Sequence, residues 1–207
     1  MTRKGPATLR RRPPRQAVQA RARSTVETII EAATRILASK GWGAFNTNAI
    51  AQVAGVSIGS VYEYFGNKQA ILDAILDRHL SQGEAHLSGL AGRELATFSL
   101  DQIVGLLVDG FVDLHSGNPR LHRVLSTEVP ISDQQRERIE LIRCQAVTLV
   151  AAQLAGKVER PQIKAAMMVD AADALTHRWF VDDLGLPVRP DDLTRELHLM
   201  LRTYVRL

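Results

Sequence analysis

"AIAQVAGVSIGSVYEYFGNKQAIL", Ala49 to Leu72, decides the fold. Two short helical patterns flank "AGVS". Ile50, Ala51 and Ala54 face inward on the first, which Thr47 can cap and which runs from Asn48 to Ala54. Gly55 can take the positive φ of a tight turn. Ser57 can cap the second, which runs to about Tyr64. "FGNK" breaks it, and Asn67 can cap a long helix whose inner face carries Ala70, Ile71, Ala74, Ile75 and Leu80. Two short helices joined by a glycine-containing turn of about three or four residues read as a helix-turn-helix.

Upstream, Val26, Ile29, Ile30, Ala33, Ile36 and Leu37 recur at helical spacing, and Gly41 can close that helix. Ser24 is placed to cap it, with Glu27 three residues on as a capping-box partner. In "GWGAFNTN", Trp42 and Phe45 can cover the helix end. Before it, residues 1–23 hold Arg3, Lys4, Arg10, Arg11, Arg12, Arg15, Arg21 and Arg23 and no acid. Without those eight basic residues, the remaining 18 Lys and Arg face 22 Asp and Glu. The net charge of +4 therefore joins a basic arm to a mildly acidic body. The arm also carries Pro6, Pro13 and Pro14 and few large apolar residues, so disorder is expected over 1–23. Such an arm points to a polyanion partner.

The composition excludes several classes. Hydrophobic residues make up 45% of the 207, enough for a core, while aromatics are 5% and Ala and Leu abound, which favours helix. One cysteine, Cys144, rules out a disulfide framework within a chain and fits a reducing cytoplasm. No apolar run approaches the ~20 residues that span a bilayer, and the basic N-terminus lacks the apolar stretch of a secretory signal.

The third helix carries the chemistry. Its N-terminal residues would lie nearest the base edges of a major groove. Gly59 has no side chain to hold the backbone away. Ser57 and Ser60 offer short hydroxyls for bases or phosphates, and Ile58 can touch thymine methyls. Tyr62 and Tyr64 end in phenols suited to phosphates, and Lys68 adds a charge-assisted contact. Val56, Val61 and Phe65 face the other way. Each residue also has a plainer role: Ser57 as a cap, Gly59 for packing, Tyr62 as core, Lys68 as a surface charge.

The same stretch carries a resemblance. "ETIIEAATRILASKGWGAFNTNAIAQVAGVSIGSVYEYFGNKQAILDAIL" resembles the DNA-binding domain of the TetR family of bacterial transcriptional regulators, over about fifty residues without a gap, Val26 to Leu76. The resemblance implies an all-α fold of about nine helices. A helix-turn-helix domain over 24–69 would precede a helical regulatory and dimerisation domain over 70–207. It implies that Thr47 and Asn48 sit at the DNA backbone, that Ser57, Ile58, Gly59, Ser60 and Tyr62 approach the bases, and that Tyr64 and Lys68 grip phosphates. Many relatives carry Lys where this chain has Ile58.

Beyond residue 80 the pattern stays helical. Ser132 opens one helix and Gly156 closes it; Pro161 opens the next and Gly185 follows it; Asp191 or Asp192 starts the last. The stripes near 161–184 and 190–206 hold Met167, Ala174, Leu197 and Met200 among others, and the resemblance implies that they pair with their mates in a homodimer. It also implies an apolar effector pocket, for which the candidates are Phe98, Ile103, Leu107, Phe111, His115, His122, Leu125, Leu141 and Cys144. The expected function is that of a repressor that binds a palindromic operator as a dimer and is released by a small, largely apolar ligand. A dimeric DNA-binding factor without such an effector stays open. The histidines His79, His86, His115, His122, His177 and His198 form no HExxH or other tight ligand set, and there is no Walker A, GxGxxG or GxSxG motif. No enzyme, metal or cofactor is expected.

Overall fold

The computed structural model describes residues 15–91, 97–182 and 189–207. Among them every regular element is helical: α1 (Arg15–Lys40), a 3-10 turn (Trp42–Ala44), α2 (Thr47–Ala54), α3 (Ile58–Tyr64), α4 (Lys68–Ala91), α5 (Leu100–Ser116), α6 (Pro119–Thr127), α7 (Asp133–Leu154), α8 (Pro161–Phe180) and α9 (Pro190–Arg206). The expected all-α class with an N-terminal helix-turn-helix stands.

The caps explain most boundaries. Ser57, Asn67, Ser99, Asn118 and Ser132 each accept a hydrogen bond from a backbone N–H three residues on. Ser99 and Ser132 complete capping boxes with Gln102 and Gln135. Gly41 and Gly55 close α1 and α2 at φ 72° and 68°, where a Cβ would be strained. Two expected boundaries move. α1 begins by Arg15, nine residues before Ser24, so residues 15–23 of the basic arm are helical. Ser24 caps nothing: its carbonyl accepts from the Thr28 hydroxyl inside the helix, and Glu27 reaches Arg78 on α4 at 2.9 Å. Asn46, not Thr47, caps α2, its Oδ1 accepting from the Ala49 amide at 2.9 Å. The first part of the arm and Gly185 lie outside the described residues.

Two cores organise the chain. The first joins Ile29, Ile36, Leu37, Phe45, Ile50, Val61 and Phe65 to Ile71, Leu72, Ile75 and Leu76 of α4, and to Leu121, Val124 and Leu125 of α6. It reaches well past residue 69, where the sequence suggested a boundary. Residues 24–69 alone do not close it; α6 is their lid. The second core gathers Val104, Leu107 and Val108 of α5, Val150 and Leu154 of α7, Met168 and Ala172 of α8, and Leu197 and Leu201 of α9. Helices α4 and α7 are also clamped by Arg138. Its guanidinium donates to Glu84 at 2.7 Å, to Asp77 at 3.0 Å and to Ser81 at 2.9 Å.

Candidate nucleic-acid interface and effector region

The interface is built from short-range geometry. Gly55 turns the chain, and the Ser57 hydroxyl then accepts from the Ser60 amide at 3.0 Å while its oxygen lies 2.9 Å from that of Ser60. Val61 and Phe65 point into the first core. With that face of α3 buried, helical spacing sends Ile58, Gly59 and Tyr62 outward. Ile58 is 39% exposed and Tyr62 53%, large values for such side chains. The Tyr62 hydroxyl lies 3.3 Å from that of Thr47, which ties the outer faces of α2 and α3 together. Asn48 is exposed one residue beyond.

Ser57 is a cap and remains exposed. Tyr62 is not core. Among the described residues a Cβ on Gly59 would meet only Ser57 Oγ, at an ordinary 3.6 Å, so none of them demands a glycine there. Tyr64 is half-buried against the first core. Lys68 starts α4 with its ammonium 4.3 Å from the Trp42 ring centre, and that ring stacks on Phe45. A cation over an indole is held in place yet stays at the surface. Arg21 and Arg23, exposed on the first turns of α1, continue the charge of the arm.

The candidate effector residues do not form one group. Phe111, His115 and His122 come together, with ring centroids 6.2 Å and 4.6 Å apart for the successive pairs. Ile103 and Leu107 lie in the second core, with Phe98 packed at its edge. Leu125 belongs to the first core. Leu141 and Cys144 lie outside both cores, exposed on the outer face of α7 beside Gln145, Thr148, Leu149 and Ala152 along a groove of about 410 Å³. Cys144, a candidate for an apolar pocket, instead has an exposed thiol 3.6 Å from a Glu140 oxygen.

Sequence reasoning passed over two members of the Phe111 group, His79 on α4 and His177 on α8. Both rings pack on His122, at 5.0 Å and 5.3 Å. Burial, reinforced by its three imidazole neighbours, pushes His122 down to about 3. Burial also lowers His79 and His115 from the usual histidine range. At neutral pH these rings are uncharged. Among the described residues no three His, Cys, Asp or Glu side chains are arranged to hold a metal ion.

Comparison with known proteins agrees with this layout. Residues 29–75 match the description "Bacterial regulatory proteins, tetR family", and residues 99–204, more than half of the chain, match "Tetracyclin repressor-like, C-terminal domain". The chain belongs to the TetR family. This TetR-family chain is 29% identical over 174 residues to the HTH-type transcriptional regulator TtgR of Pseudomonas putida, covering 77% of the chain and 82% of that protein. Its fold is similar to that of NalD, the secondary repressor of the MexAB-OprM multidrug efflux pump in Pseudomonas aeruginosa. That structure has a TM-score of 0.68 at 19% identity, over 90% of this chain and 98% of NalD. It is also similar to FadR of Bacillus subtilis, solved with stearoyl-CoA: TM-score 0.62, 22% identity, over 86% of this chain and 97% of FadR. The protein is a transcriptional regulator with a helix-turn-helix DNA-binding domain, and none of the described helices is long and apolar enough to cross a membrane.

Proposed function

We propose that this regulator is a homodimeric repressor that binds a palindromic operator in the cytoplasm and releases it when a small, largely apolar ligand binds. The carrying observation is the outer face of α3. Ile58, Gly59 and Tyr62 stand exposed on a helix whose other side is anchored by Val61 and Phe65, and no contact among the described residues accounts for the glycine. A backbone stripped of Cβ suits close approach to base edges. Ser57 and Ser60 would accompany it, with Thr47, Asn48, Tyr64 and Lys68 at the flanking phosphates.

A dimer is supported by apolar side chains that the monomer leaves exposed on its last two helices: Ile163 and Met167 on α8, Leu199 and Met200 on α9. A two-fold pair would present two copies of α3 to major grooves ~34–36 Å apart. For the ligand, the likeness to NalD, an efflux-pump repressor, and to FadR, solved with stearoyl-CoA, favours apolar chemistry. Among the expected pocket residues, Phe111, His115 and His122 remain the best candidates, because they meet where α5 and α6 join.

Selection of bound duplexes from a random pool at fixed salt tests the reading. The expected product is a palindrome with two half-sites about one helical turn apart. Recovery of no enriched sequence, or of a lone half-site bound by monomer, would overturn it.

A further inference from the structure

Helix α6 touches different parts of the molecule with its two faces. One face carries Leu121, Val124 and Leu125 into the first core, and just past its end Glu128 accepts from the Trp42 amide at 3.0 Å. The other carries His122 into a cluster of imidazoles from three more helices: His79 of α4, His115 of α5 and His177 of α8. His115 and His177 are 5.7 Å apart. Four rings from four helices thus meet where the two cores adjoin.

The proton positions are partly fixed. His115 Nδ1 lies 2.8 Å from the Phe111 carbonyl oxygen, which can only accept, so Nδ1 carries a proton. The Thr176 hydroxyl donates to the Ala172 carbonyl at 2.7 Å and so can accept from the same ring nitrogen at 3.1 Å. Nε2 of His115 is then its titrating atom, and Asp173 Oδ1 stands 3.5 Å from it. His177 faces the Ser126 hydroxyl at 3.2 Å and Asp182 at 3.8 Å, and Asp182 is already paired with Arg178. From α7, which packs on α8, the nearby charges are Arg143 and Glu140, and Arg143 is locked to Asp170 of α8 at 2.7 Å. Among the described residues no carboxylate pairs with His122. Its Nδ1 is buried with no hydrogen-bond partner among the described residues, and its ring neighbours are the other three imidazoles.

We propose that this cluster is a proton sensor: uncharged, it lets α6 bridge the DNA-binding head to α5 and α8, and protonation in mild acid pushes α6 off α5 and α8 and shifts the head through Trp42. The first proton is accommodated by His115 and Asp173. A second would place like charges on adjacent, partly buried rings, which separation of the helices relieves. The sign follows from where protons bind better. His122 in the closed form titrates far below the ordinary histidine value near 6.5, so the open form binds more protons. The closed form is therefore fully favoured above about 6.5 and loses ground as pH falls toward about 3. Between pH 7 and 5, His122 alone shifts the closed-to-open ratio by on the order of ten-fold.

The test uses the full chain. Trp42 and Trp179 are its two tryptophans, so Trp179→Phe leaves Trp42 as the sole indole reporter. Taken from pH 7.5 to 5.5, this protein should show red-shifted Trp42 emission with greater access to iodide quencher. Adding His122→Asn should abolish the change, with His79→Asn as the second variant if the first fails to fold. In parallel, a duplex selected from a random pool at pH 8 should lose on the order of ten-fold affinity over the same range for the parent and clearly less for the variant. The same pH response in parent and variant, in either measurement, overturns the proposal. The DNA arm rests on the repressor reading and the fluorescence arm does not. Failure to select any duplex would therefore count against the repressor reading, while Trp42 still reports on the sensor.

Discussion

The Glu128 carboxylate accepts a hydrogen bond from the Trp42 amide at 3.0 Å, across 86 positions of sequence. The same carboxylate fills the space beside Gly41, where a Cβ would come within 2.8 Å of Glu128 Oε2. Glu128→Ala should cost about 1 kcal/mol, the ordinary worth of one solvent-facing hydrogen bond to a charged group. Gly41→Ala should cost about 1–2 kcal/mol, because φ is 72° and the carboxylate must move. The double variant should cost less than the sum, since removing the carboxylate removes the clash. Urea unfolding of the four proteins checks this; strict additivity would mean that the two groups do not meet in solution.

 Gly55 and Gly59 are four positions apart, yet only Gly55 sits at positive φ, 68°. Gly55→Ala should destabilise the protein by about 1 kcal/mol. Gly59→Ala should leave it unchanged or up to about 1 kcal/mol more stable, since helices favour Ala over Gly and the new methyl meets nothing tight. Operator affinity should nonetheless fall about ten-fold or more for Gly59→Ala, the scale of one disturbed base contact. Thermal unfolding and a binding titration on the same samples separate the two effects. Unchanged affinity would remove Gly59 from the interface.

Leu125 and Leu141 were both expected at the effector pocket, and the fold separates them. Leu125 is 4% exposed in the first core and Leu141 is 61% exposed on α7. Leu125→Ala should cost about 2–4 kcal/mol through the cavity it leaves. Leu141→Ala should stay within about 0.5 kcal/mol in the monomer. Chemical denaturation of each variant gives the comparison, and equal losses would contradict the placement.

Met167 stands exposed on α8 beside Ile163. If that face pairs two copies, Met167→Glu should shift the protein from dimer to monomer in sedimentation runs, because two carboxylates would meet in an apolar contact. Helical content should be unchanged, and operator affinity should fall by at least about ten-fold as the second reading head is lost. A variant that sediments as a dimer would move the interface elsewhere.

The reading head was legible because its signals are local. Ser57, Asn67 and Ser132 announce helix starts through short polar side chains, and Gly55 announces a turn through its own backbone freedom. Where local signals compete, the sequence misleads. Asn46 and Thr47 can both cap α2, and only the fold shows that Asn46 does. The prolines and the lack of large apolar residues suggested disorder over 1–23, yet Gln16, Ala17, Gln19, Ala20 and Ala22 are good helix formers and α1 continues through them. The histidine cluster was invisible for another reason. His79, His115, His122 and His177 lie on four helices with no common spacing, so only tertiary packing brings them together. The same holds for Leu141 and Cys144, which look interior in an apolar run but turn outward because Ala146, Val150 and Leu154 hold the other side of α7.

Because Leu121, Val124 and Leu125 complete a core that begins at Ile29, the chain is interleaved. A transplant of residues 24–69 onto a foreign body would arrive with an uncovered apolar floor. Swapping operator specificity between such regulators therefore calls for grafting the outward side chains of α3 alone, or for carrying α6 and the start of α4 along as part of the insert.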